Sequence, residues 1–221
     1  MPGIEKNLDI AYALRDLGWN CLYFHYRGCW GSEGVYSFTG LLDDVRAATE
    51  WVVVQPSVDT KRLALVGSSM GGYATLAAGA AEPRFRALVS FCPLIDPAKA
   101  PLPPGMAEDF ATMLNGVSGE ELKAQWDSLP SVLGMRDLLQ NKSILLVTGD
   151  RDELFPPSHY TQLTKAFKWV QWKRFPSADH SFSGCRKPLV QTVTRWLNAK
   201  SIGAVVNRRA IKLHVRFQSE T

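Results

Sequence analysis

Gly67-Ser68-Ser69-Met70-Gly71 stands directly behind the apolar run Leu63-Ala64-Leu65-Val66 and directly ahead of the alanine-rich stretch Tyr73 to Ala81. An apolar run, a glycine-flanked turn and a helix-forming run, in that order, predict a strand, a sharp turn and a helix. At the tip of such a turn the middle residue is forced into a strained backbone conformation with its side chain exposed, and glycines two before and two after leave room for strand and helix to pass. Ser69 is that residue. A serine can also serve as a helix N-cap, but the flanking glycines favour a nucleophile.

A serine hydroxyl is a poor nucleophile at neutral pH, so this reading requires a histidine base and a carboxylate to orient it. The apolar run Ile144-Leu145-Leu146-Val147 ends in Thr148-Gly149-Asp150-Arg151-Asp152, which delivers carboxylates at the end of a second buried strand. Asp152 is the candidate, and Asp150 reads as a turn former ahead of Pro156. Further on, Val170 to Phe175 alternates like a strand and is followed by Pro176-Ser177-Ala178-Asp179-His180, which places His180 in the loop before the last amphipathic helix. Three candidates at the carboxyl ends of three strands, in the order Ser, Asp, His, fit the general site of open α/β sheets. His25, His159 and His214 are expected to be a strand residue, a helix-surface residue and a tail residue.

At these residues the chain resembles the α/β-hydrolase family, and within it the esterase and prolyl-oligopeptidase-like branch. The matching strings are Phe24-His25-Tyr26-Arg27-Gly28 with Ser32 and Gly34, Gly67-Ser68-Ser69-Met70-Gly71-Gly72, Gly149-Asp150-Arg151-Asp152 with Pro156, and Ala178-Asp179-His180-Ser181-Phe182. The resemblance runs from the first residues to about Leu197. It implies Ser69 as nucleophile, Asp152 as the acid and His180 as the base, with backbone N–H groups as oxyanion donors. Met70 supplies one of these. The second would come from about Met1, which implies that the chain begins inside the oxyanion loop with its N-terminal strands missing. Loss of one oxyanion donor typically costs about 10²–10³ in turnover.

The fold class expected is α/β, a mostly parallel sheet with helices on both faces. Helices are expected over Asn7 to Leu17, Leu41 to Val54, the Ser69 helix and Lys187 to Leu197, with strands at Cys21 to Phe24, Leu63 to Val66, Ala87 to Phe91, Ile144 to Val147 and Val170 to Phe175. The domain spans 1–199. Between about residues 93 and 142 the alternation lapses into a proline-rich stretch with short helical fragments, a candidate lid whose Phe110, Met113, Leu114, Trp126 and Leu133 would either line an acyl pocket or pack the insertion onto the sheet.

A chain of 221 residues with 46% hydrophobic content can bury a core without disulfides or metals. Cys21, Cys29, Cys92 and Cys185 have no metal-ligand spacing, so buried free thiols are expected, with no metal and no cofactor. The formal charge of +4 lies in the tail, residues 200–221, and leaves the body neutral. No nucleic-acid partner is expected. No apolar stretch reaches the roughly 20 residues of a membrane span and no leader pattern opens the chain, so a cytoplasmic protein without a membrane partner is expected. Within the tail, Ile211, Leu213, Val215 and Phe217 alternate with polar residues in the period of a half-buried strand. Ala210 to Gln218 would then either pair with the depleted sheet or mediate a homodimer; the alternative is a disordered or non-native extension after the last helix, and a solvated end is the favoured reading of the basic tail.

The expected function is a serine hydrolase, a carboxylesterase acting on a small-molecule ester. Nothing in the chain corresponds to the large extra domain of the prolyl oligopeptidases, so an esterase outranks a peptidase; a thioesterase is a further alternative. The competing class is a catalytically impaired hydrolase-fold protein that binds a ligand or partner.

Overall fold

The computed structural model describes residues 7–200. Four strands, β1 (Leu63–Ser68), β2 (Phe85–Phe91), β3 (Ser143–Gly149) and β4 (Gln171–Phe175), form a parallel sheet in the order β1-β2-β3-β4. Strands β1 to β3 are mostly apolar on both faces, the pattern of a parallel sheet covered on both sides, whereas the edge strand β4 is polar and largely exposed. On one face Leu88, Ile144 and Leu146 join a core with Tyr73 and Leu76 of helix α3 (Met70–Ala81) and Val45 of α2 (Leu41–Val53). On the other, Val89, Leu145 and Val147 pack with Ile10 and Leu14 of α1 (Leu8–Asp16) and with Leu189 and Val193 of α8 (Arg186–Lys200). Arg186 of α8 pairs with Asp9 of α1 and joins these two helices.

Helices α1, α2 and α3 and strands β1 to β4 thus stand where the sequence predicts them, and α8 continues to Lys200. One expected strand does not form. Residues 19–26 have no regular secondary structure, because a strand exists only through a ladder partner about 4.8 Å away, and none of the described strands flanks this segment. Residues 19–26 and β1 instead line one cleft of about 1640 Å³. His25 accordingly lies outside any strand.

The segment between β2 and β3 folds into α4 (Met106–Ala111), α5 (Gly119–Ser128), a 3-10 turn (Val132–Met135) and α6 (Arg136–Leu139). Ser118 and Glu121 close a capping box at the start of α5. The insertion is fastened to the loop after residue 26: Asn115 donates its amide to the Gly28 carbonyl at 2.7 Å, the Tyr36 amide donates to the Asn115 carbonyl at 3.0 Å, and the Phe38 amide donates to Gln125 at 2.8 Å. After β3 comes α7 (Pro157–Ala166). The tail segment from Ala210 to Gln218, its expected pairing, His214 and Met1 lie outside the described residues.

Candidate active site

Ser69 sits between the last residue of β1 and the first residue of α3 with φ 56° and ψ −123°. A positive φ is rare for a non-glycine residue and persists only where the surroundings enforce it. Enforcement comes from both sides, since the Ser69 amide donates to the Phe91 carbonyl at the end of β2 (2.8 Å) and the Tyr73 amide donates back to the Ser69 carbonyl (3.0 Å). A Cβ on Gly67 would stand 2.2 Å from the Gly71 carbonyl oxygen, and one on Gly72 would meet Ser90 Oγ at 2.8 Å and the Phe91 carbonyl at 3.0 Å. On Gly71, by contrast, it would meet only the Tyr26 hydroxyl at 3.7 Å. The requirement for a small residue after the turn therefore falls on Gly72, which crosses β2, and not on Gly71.

Asp152 follows β3 and is 4% exposed. Its Oδ1 accepts the amides of Leu154 and Phe155, both at 2.9 Å, and its Oδ2 accepts from His180 Nδ1 at 2.9 Å. Burial alone would raise the pKa of this carboxyl. The hydrogen bond and charge of His180, with the Phe155 amide and the Cys92 thiol, outweigh burial and hold it below the ordinary carboxylate value. Asp150 turns outward to Arg174 Nε at 2.8 Å.

His180 is buried in the loop after β4. Gly149 sets the spacing between acid and base loops, because a Cβ there would stand 2.3 Å from the Ala178 carbonyl oxygen; the Arg151 amide donates to that same carbonyl at 3.0 Å. With Nδ1 donating to a carboxylate, Nε2 carries the free lone pair. The Phe155 ring and the imidazole meet edge to face, with centroids 5.6 Å apart. Among the described residues the Ser69 hydroxyl is not hydrogen-bonded to His180; such contacts commonly tighten only when substrate is present.

Phe110, Met113 and Leu114 line the large cleft together with Tyr26, Ser69 and Met70. Trp126 and Leu133 do not. Trp126 is buried, donates its indole N–H to the Ala100 carbonyl at 2.9 Å and stacks on Phe155, while Leu133 packs against the main core. Met70 opens α3, where backbone N–H groups have no intrahelical partner.

Two residues near the site escape a sequence reading. His159 lies on α7 but is half-buried rather than a surface residue; its Nε2 accepts the Ile95 amide at 2.9 Å and its ring stacks on Phe155. Burial lowers its pKa against the opposing pull of Asp96 and Asp152. Cys92 is fully buried, and its sulfur lies within 4.8 Å of an Asp152 carboxylate oxygen. The one available signal for Cys92 was its position immediately after a strand lying between those of Ser69 and Asp152.

A parallel sheet flanked by helices, with a strained serine after one strand and a carboxylate–histidine pair after two others, defines an α/β hydrolase. Residues 9–202 match the prolyl oligopeptidase family, and the chain belongs to it. The α/β hydrolase domain-containing protein WAV2 of Arabidopsis thaliana is 25% identical over 185 residues, covering 77% of this chain and 57% of that protein. The fold is similar to that of an esterase domain from a Rhodothermus marinus protein (TM-score 0.64, 20% identity, 90% of this chain and 82% of that one) and to the α/β hydrolase GrgF from Penicillium sp. sh18 (TM-score 0.67, 20% identity, 90% and 86%). The chain spans between 20% and 57% of the length of the curated relatives it matches. Among the described residues no helix is long and apolar enough to cross a membrane.

Proposed function

We propose that the chain is a serine hydrolase that cleaves carboxylic esters of small molecules through an acyl-enzyme on Ser69. The observation that carries this reading is the buried 2.9 Å bond between His180 Nδ1 and Asp152 Oδ2, two residues that follow strands of the same parallel sheet whose β1 leads into the strained Ser69. Asp152 holds the imidazole in the tautomer whose Nε2 accepts a proton. Ser69 Oγ attacks the ester carbonyl as His180 Nε2 takes its proton, and the Met70 N–H donates to the developing oxyanion. The C–O bond to the alcohol then breaks, and His180 returns the proton to the departing oxygen. Water attacks the acyl-enzyme by the same route and frees Ser69. Phe110, Met113 and Leu114 supply an apolar wall for the acyl group.

An active-site-directed fluorophosphonate tests the reading. Stoichiometric labelling that disappears in Ser69→Ala supports it, and absence of labelling in the folded protein would leave the ligand-binding alternative. A panel of p-nitrophenyl esters of increasing acyl length, run beside aminoacyl and dipeptidyl amides, distinguishes an esterase from a peptidase.

A further inference from the structure

We propose that Cys92 is a positioning residue for this chemistry, its thiol donating a hydrogen bond to the Asp152 carboxylate so that the carboxylate presents a fixed oxygen to His180. The inference rests on the proposed roles of Asp152 and His180.

The backbone first dictates where this thiol points. Cys92 directly follows β2 and has φ 39°, in the left-handed region that favours glycine, and its amide donates to the Val147 carbonyl at 2.9 Å. Pro93 comes next and restricts the backbone of the residue before it. The side chain lies close to Asp152. It is 0% exposed, and its sulfur, an Asp152 carboxylate oxygen and a ring nitrogen of His180 all lie within 4.8 Å of one another.

Chemistry then fixes the direction of the bond. Burial, reinforced by the neighbouring Asp152 charge, raises the pKa of the thiol far above its ordinary value. A protonated thiol beside an ionised carboxylate is the donor, and donation to a charged acceptor is the stronger form of this weak bond. Asp152 thus accepts from the Leu154 and Phe155 amides, from His180 and from Cys92. By donor type the sulfur, oxygen and nitrogen also suit a soft cation. A metal needs the thiolate, however, and the carboxylate is already engaged by His180, so the hydrogen-bonded network is the better account.

Removing the donor makes the carboxylate more basic, and the proton shared by the carboxylate–imidazole pair is then held more tightly. The charged and titratable groups around His180 are Asp152, Cys92 and the adjacent Asp179, with His159 across the Phe155 ring and the buried Tyr160 hydroxyl also near Asp152 and Cys92. Cys92 is the one among them whose replacement by Ser retains a donor at nearly the same place.

The test compares the full chain with Cys92→Ala and Cys92→Ser. The readouts are kcat and KM against pH on a p-nitrophenyl ester and the downfield proton resonance of the His180 Nδ1–H. Cys92→Ala is expected to lower kcat about tenfold with KM nearly unchanged, to move the acid limb of kcat/KM to higher pH and to shift the resonance. Cys92→Ser is expected to restore all three. A wild-type profile and resonance in Cys92→Ala would overturn the proposal, as would a Ser variant as altered as the Ala variant. If the Ala variant does not fold, a displaced profile or resonance in Cys92→Ser overturns it equally. The resonance needs no turnover, so a shift that Ser reverses would support the Cys92 contact even if Ser69 fails to label and the hydrolase reading falls.

Discussion

The amide of Ser69 donates to the carbonyl of Phe91 at 2.8 Å, so the turn that presents the serine is bonded to the residue immediately before Cys92. Cys92 in turn touches Asp152, and Asp152 touches His180. The ends of adjacent strands are therefore joined side by side: β1 to β2 through Ser69, β2 to β3 through Cys92 and Val147, and β3 to β4 through Gly149 and Ala178. Placement of Ser69, Asp152 and His180 is thus a property of the sheet's register, and perturbing any one link should be felt at the others.

Strain at Ser69 makes the first prediction. A non-glycine residue held at φ 56° costs of order 1–3 kcal/mol, and glycine tolerates positive φ readily. Ser69→Gly should therefore lose fluorophosphonate labelling and ester hydrolysis completely. Its thermal midpoint should equal or exceed that of the wild type. A variant that is both inactive and clearly less stable would mean that the hydroxyl, rather than the neighbouring backbone, holds the turn together.

The two carboxylates after β3 should behave very differently. Asp152→Asn leaves the shape of the site but cannot enforce the tautomer with Nε2 free, a change that costs about 10⁴ in turnover where the same arrangement is established. Asp150 pairs on the surface with Arg174, and Asp150→Asn should leave turnover within about threefold and stability within about 0.5 kcal/mol of the wild type. Steady-state kinetics on both variants checks this, and the reverse order would exchange their roles.

Much of this architecture was legible before any coordinates, for reasons that differ by element. Strands β1 to β3 announced themselves as predominantly apolar runs, and α1, α2 and α8 by apolar residues at helical spacing, because both patterns record which faces are covered. Cys21 to Phe24 carries the same apolar signal, yet a strand also needs a partner in register, and no property of the segment itself reveals one. Phe110 and Trp126 could not be told apart for a similar reason: both are aromatic residues of the insertion, but only the fold turns one to the cleft and the other onto Phe155. Cys92 and His159 are single polar groups whose roles arise from neighbours distant in sequence, Asp152 and Ile95. The resemblance in the Ser69, Asp152 and His180 strings singles out those positions as candidates. It carried no information on what presses against them.

Steric demand should separate the three glycines of the turn. Gly67→Ala and Gly72→Ala both force an atom within 3.0 Å of backbone or of the buried Ser90 and should each destabilise by about 1–3 kcal/mol, the usual cost of overpacking. Gly71→Ala places its methyl in ordinary contact with the Tyr26 hydroxyl and should be neutral or slightly stabilising, because alanine is the better helix former. Urea denaturation of the three variants ranks them, and equal losses would contradict the close approaches described above.

His159 gives the protein a pH-dependent fastening at the start of the insertion. Its Nε2 accepts the Ile95 amide, which only the neutral ring can do, and burial lowers its pKa below the ordinary value of 6.5. Because the unfolded chain binds this proton more readily than the folded one, the contribution to stability is full above about pH 6.5 and is lost as the pH falls through that value toward the depressed one. Asp152 is lowered relative to an ordinary carboxyl, so its contribution disappears only in the more acidic carboxylate range. Melting temperature should therefore fall between pH 7 and pH 5 in the wild type. His159→Gln can keep an acceptor toward Ile95 without a titrating group, and its melting temperature should fall less over the same interval. If the two proteins lose stability in parallel, His159 is not the group that titrates.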